Sequence, residues 1–250
     1  MKDYTTAETF VLPSGGKIYP CEVNPNVTLR SMTTADEMRR LSNTDAPYKL
    51  MCDMIDDCMT EDIGISSYDM CLGDYQFLLH KLRIVTYGRD YKINTVCPYC
   101  GCSADNTINL DDLKELYYTD DIKNYLEFDL PVSKKHISIR MQTPRLLDDI
   151  NLKTKEARKR SSDIGDPAFL FTLESIIATV DGYTLDNIKL EEFIKNLPMA
   201  DSNMIIQYAQ KLNESIGLET GFIVACDVCG FEYRSSFRFT PEFFRPTINI

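Results

Sequence analysis

The residues most able to do chemistry in this chain are two short cysteine pairs, Cys97-Pro98-Tyr99-Cys100-Gly101 and Cys226-Asp227-Val228-Cys229-Gly230. Each is C-x-x-C followed directly by glycine. Two thiolates at this spacing grip one metal ion from a tight turn, and the glycine permits the positive φ that turns backbone N–H groups toward sulfur. Zn²⁺ takes four ligands in a tetrahedron, so Cys97, Cys100, Cys226 and Cys229 form one complete ligand set. Four thiolates leave no open coordination position, which makes such a site structural rather than catalytic. Cys102 stands two residues past Cys100 and ranks as a fifth candidate. Iron is the rival metal. A disulfide within each pair, a redox motif or two unrelated loops are the alternatives, but a redox C-x-x-C commonly goes with a βαβ pattern.

The flanking sequence favours a metal knuckle. Strand-like runs lead into each pair, Tyr91–Val96 and Gly221–Ala225. Alternating residues Phe231–Phe239 lead out of the second, and 102–110 is expected to return antiparallel from the first. The pairs lie more than a hundred positions apart, so one shared metal closes a very long loop.

Around them the pattern is mixed. Thr34 and Glu37 form an expected capping box for a helix to about Leu41, and helices are expected near 46–60 and 66–86. Tyr125–Pro131 and His136–Met141 alternate with period two and predict a β-hairpin. Helices follow at about 144–161, 167–180, 190–197 and 202–216, the last capped by Asp201 or Ser202 and stopped by Gly217. The expected class is α+β, mainly helical, with a split zinc-ribbon-like β element made from both knuckles and the hairpin. The expected division is an extended segment 1–32, a helical region 33–88, a ribbon-like region 89–143 with 218–250, and a helical insertion 144–217.

Composition narrows the function. The chain has 250 residues, 44% of them hydrophobic and 26% charged, and a formal charge of −11. That balance argues against general nucleic-acid binding, which needs excess Lys and Arg. No apolar run reaches the length of a membrane span, and the polar start Met1–Thr6 has no signal-peptide core. Nine cysteines without an export signal predict free thiols in a reducing compartment. Cys21, Cys52, Cys58 and Cys71 then read as small buried hydrophobes. Asp74 reads as a solvated or capping carboxylate.

Other candidates are weaker. Gly15-Gly16-Lys17 lacks the remainder of a phosphate-binding loop. His80 and His136 have no triad partner at recognisable spacing. A second metal site from Cys52, Cys58 and His80 is less favoured than helix-core thiols. Lys153, Lys155, Arg158, Lys159 and Arg160 make one basic run, read first as a solvated helix face and second as a dock for an acidic partner. Phe237 and Phe239 are expected in the chain's own core. Phe243, Phe244 and Arg245 are candidate partner-binding residues, since aromatic anchors dominate interfaces.

The stretch Leu12–Tyr19, then Val27–Arg30 with the capped helix, then Leu78–Gly88 running into the first C-x-x-C, the second C-x-x-C and the Phe243-Phe244-Arg245-Pro246 tail resemble the T4-type bacteriophage baseplate protein family, which includes hub subunits and hub assembly factors. The resemblance implies a non-enzymatic structural or assembly role in a tail baseplate. Its implied partners are other tail proteins, with no membrane, no general nucleic acid and no small-molecule substrate. It implies synthesis in the host cytoplasm and a place in the virion, with one structural zinc per chain. The alternative function is a zinc-ribbon nucleic-acid-binding or transcription-associated module.

Overall fold

A computed structural model describes residues 5–160, 165–236, 239 and 241–244. Strands β1 (Ala7–Val11) and β2 (Asn26–Arg30) pair antiparallel, with Ala7 opposite Arg30 and Val11 opposite Asn26. Alternation turns Val27 and Leu29 inward, where both are fully buried. The loop between them doubles back through Gly16 at φ +73°, where a Cβ would stand 2.7 Å from the Val23 carbonyl oxygen.

Helix α1 (Thr34–Arg40) starts one residue earlier than its sequence pattern implies. Thr33 is the N-cap, and Asp36 returns the bond to the Thr33 backbone at 2.7 Å. Glu37 pairs instead with Arg40. Helix α2 (Pro47–Cys58) buries Cys52, Met54, Ile55 and Cys58 on one face. Helix α3 (Leu72–Tyr87) is buried along most of its length and on every side, which makes it the central post of the molecule. Gly88 ends it at φ +88°.

Two strands then leave the core, β3 (Asp90–Val96) and β4 (Ser103–Asn109), followed by the short β5 (Glu115–Leu116). Next come β6 (Glu127–Asp129), β7 (His136–Ile139), α4 (Pro144–Arg160) and α5 (Pro167–Ile176). The segment Ile177–Val180, expected to be helical, is strand β8 and pairs with β7. Ile176, Ile177 and Val180 suit a helical stripe and a strand equally. The β-branched residues Ile177, Thr179 and Val180 and the open edge of β7 decide for the strand.

Helices α6 (Asn187–Lys195) and α7 (Met199–Glu214) follow, then β9 (Gly217–Leu218), β10 (Gly221–Ala225) and β11 (Glu232–Ser236). Asp201 does not cap α7. Its buried carboxylate accepts the N–H groups of Val132 and Ser133, both at 2.9 Å, in the turn between β6 and β7.

The fold is α+β with two hydrophobic cores. The first gathers α2, α3, β1 and β2 around Leu29, Ile55, Leu78 and Leu82. The second sets the three-stranded sheet β6-β7-β8 against α5 and α7, through Ile137, Ile139, Leu173, Ile205 and Leu212. The β6–β7 hairpin therefore belongs to this second sheet and not to a ribbon with the knuckles, because its apolar face is covered by helices. At the seam, backbone meets backbone. A Cβ on Gly73 would lie 2.2 Å from the Ile216 carbonyl oxygen.

Candidate metal centre

Strands β3 and β4 pair from Asp90–Asn109 to Val96–Ser103, and β10 and β11 pair from Gly221–Ser236 to Ala225–Glu232. Each hairpin ends in a cysteine knuckle, and the two knuckles have the same backbone. Cys97 N–H donates to the Cys102 carbonyl at 2.9 Å, and Gly101 N–H to the Cys97 carbonyl at 2.9 Å. In the second, Cys226 N–H donates to the Phe231 carbonyl at 3.0 Å and Gly230 N–H to the Cys226 carbonyl at 2.8 Å. Gly101 and Gly230 both sit at φ +73° with open space where a Cβ would be. Conformation, not crowding, selects glycine there.

The hairpins meet face to face. Thr95 Oγ1 and Tyr233 Oη are 2.7 Å apart, and Asn106 Nδ2 donates to Thr95 Oγ1 at 2.7 Å. This contact brings together the sulfurs of Cys97, Cys100, Cys226 and Cys229, all within 4.8 Å of one another. Two pairs cross between knuckles, Cys97 to Cys229 at 3.7 Å and Cys100 to Cys226 at 3.6 Å. A tetrahedron with Zn–S bonds of about 2.3 Å has an S···S edge of about 3.8 Å. The donor set therefore fits a tetrahedral ion, whereas a disulfide requires about 2.05 Å.

The surrounding N–H groups favour thiolates. Those of Cys229 and Val228 bring the Cys226 thiol down to about 6. The Cys102 N–H pulls Cys100 down, but desolvation and the three neighbouring sulfurs outweigh it and push that thiol up. Cys229 is likewise pulled down by the Phe231 N–H and pushed up by desolvation and Cys226, with a net rise. Four touching sulfurs do not ionise together by themselves; a divalent cation at their centre removes the conflict. Cys102 lies outside the sulfur cluster, at the position that Phe231 holds in the other knuckle, and contributes backbone only.

The remaining candidates fall elsewhere. Phe243 and Phe244 are 0% and 1% exposed and close the first core, with the Phe243 ring tilted against Tyr91 at 5.1 Å and its carbonyl held by Arg83 Nε at 3.0 Å. Their rings are core rather than partner anchors, because the chain turns back onto α3. Phe239 packs edge-on to Phe243 at 5.2 Å. Phe237 and Arg245 lie outside the described residues. Cys52 and Cys58 are buried and form no metal cluster with His80 among the described residues. His136 is exposed and pairs with Asp129 across β6 and β7 at 2.9 Å. Cys21 is exposed, contrary to its expected burial.

Asp74 is a residue that the sequence pattern misplaces. It is fully buried and accepts bonds from Ser14 N at 3.0 Å and from Tyr19 Oη at 2.6 Å, which fastens the 12–20 loop to α3. Four of the five residues in the basic run on α4 pair within the chain. Lys153 pairs with Glu174, Lys155 with Asp45, Arg158 with Asp166 and Arg160 with Glu156.

No described helix is long and apolar enough to cross a membrane. No curated protein and no solved structure matches the chain. The family model described as T4 bacteriophage base plate protein matches residues 4–245, nearly the whole length. The two-knuckle chain belongs to the T4 bacteriophage base plate protein family.

Proposed function

We propose that this protein is a non-enzymatic structural or assembly component of a phage tail baseplate, held together by one structural zinc ion at Cys97, Cys100, Cys226 and Cys229. The observation that carries the metal half of this reading is the approach of four sulfurs from two distant hairpins to within 4.8 Å. Family membership supports the tail half. A four-thiolate site has no position left for water or substrate, so its work is to fix geometry. It ties the β3–β4 hairpin to the β10–β11 hairpin, across 126 to 132 positions of sequence.

The nucleic-acid alternative has less to support it, since four of the five basic residues in the α4 run pair with the chain's own carboxylates. The deciding experiment joins elemental analysis of the purified protein with mass spectrometry of purified phage particles and tail intermediates. One zinc per chain and presence in tails or their intermediates are expected. A metal-free folded chain, or one absent from every tail species, overturns the corresponding half. A hub position and release after assembly are distinguished by the same fractions.

A further inference from the structure

The far end of the double hairpin carries an unusual surface. Four large apolar side chains lie within two residues of a ligand cysteine and point into solvent. They are Val96 at 61% exposure, Tyr99 at 65%, Val228 at 71% and Phe231 at 61%. Tyr99 of one knuckle and Phe231 of the other touch, their ring centroids 5.2 Å apart. The aromatic pair thus bridges the two knuckles, at the opposite end of the hairpins from the bases that rest on the first core. Isolated apolar residues on a surface are ordinary, but an exposed aromatic pair in contact, with two further exposed apolar residues on the same knuckles, marks an interaction site. Aromatic rings also lose little entropy on being covered.

Charge states what covers it. No Lys or Arg occurs in 93–104 or in 222–233, while Asp227 and Glu232 both lie in the second stretch and are exposed. Four thiolates around a divalent ion add a net charge of about −2. The tip is therefore apolar at its centre, with its acidic side chains on the second knuckle and no basic one on either. A second copy of the same tip and any nucleic acid are both repelled. We infer that the knuckle tip is a docking surface for a different polypeptide of the tail, one that presents an aliphatic or aromatic side chain between Lys or Arg residues to the Tyr99–Phe231 pair. This inference rests on the baseplate reading and names the surface through which it operates.

The test places a benzophenone amino acid at position 99 of the full chain during phage infection, with position 188 as the exposed control on α6. Crosslinks from position 99 are expected on one other tail protein, at an apolar segment flanked by basic residues. Crosslinks to a second copy of this chain, to nucleic acid, or at no more than the control yield overturn the inference. A Tyr99→Ser/Phe231→Ser double variant should keep one metal per chain yet enter tails at least tenfold less than wild type. An Asp227→Lys/Glu232→Lys variant should show a similar loss. If wild type enters tails and both variants enter equally well, the docking surface is wrong and the baseplate role stands. If wild type enters no tail species, the baseplate role itself fails.

Discussion

His80 sits on α3 with its Nε2–H donated to the Leu110 carbonyl at 3.0 Å, since a carbonyl can only accept. Its buried Nδ1 has no partner among the described residues. A proton there has nothing to receive it. Burial first, then the nearby Lys81, holds the imidazole down at about 4. The unfolded chain binds that proton at about 6.5, so stability is complete above this pH and is lost as pH falls toward 4. The loss is on the order of 3 kcal/mol. His80→Gln, which keeps a donor for Leu110, should flatten the unfolding free energy between pH 6.5 and 4; acid release of the metal is common to both proteins, and parallel curves would refute the assignment. The thiols divide as sharply. Cys52, Cys58 and Cys71 are buried, and burial pushes them up to about 12, 11 and 12. Alkylation of the metal-loaded protein should mark exposed Cys21 readily and spare these three. Chelation should add four adducts, at Cys97, Cys100, Cys226 and Cys229, read by peptide mass spectrometry.

Helix α2 has no side-chain cap of its own, and Ala46 stands at its N-cap. The cap comes from α4, a hundred residues away. Buried Asp148 accepts Tyr48 N–H at 3.2 Å, Lys49 N–H at 2.8 Å and Tyr68 O–H at 3.2 Å. A carboxylate there also meets the positive end of the α2 dipole. Asp148→Ala removes the cap and strands buried donors, so a loss of about 2–3 kcal/mol in urea unfolding is expected, with Asp148→Asn losing less. Asp201 and Asp74 act in the same manner on a turn and a loop. Part of the chain's acidic excess thus serves as tertiary fastening. The α3–β9 seam is more exacting. Gly73→Ala drives a methyl into the Ile216 carbonyl, and the backbones must part, at about 3 kcal/mol or more. A melting temperature equal to wild type would show that the seam yields.

At the scale of the molecule, the two cores stand apart from the knuckle tip. The hairpins bury few residues apart from Thr95, Val224, Cys97 and Cys226, while their bases lean on the first core through Tyr91, Ile108 and Phe222. Chelation should therefore open the hairpins and leave the cores folded. Hydrogen exchange is expected to rise in 90–109 and 221–236, with α3 and α7 unchanged. Uniform loss of protection across all helices would mean that the metal holds the whole chain. Opening the tip also disperses the Tyr99–Phe231 surface, so chelated protein should fail to enter tails even while its helices persist.

The amino-acid sequence by itself determined the two cysteine pairs that come together, the hairpins that carry them and most helices. Those signals are local: C-x-x-C-G states its turn, and period two or 3.6 states its element. It left open which distant partner each carboxylate finds, so Asp74 reads as a solvated or capping acid and Asp201 as a helix cap until the chain is packed. It left Ile177–Val180 ambiguous, because an isolated β-branched run becomes a strand only when an open edge such as β7 stands beside it. It could not assign Phe243 and Phe244, since a ring near a chain end is core or anchor according to where the backbone returns. Tertiary structure decided these points because each depends on burial, and burial is a property of the assembled fold.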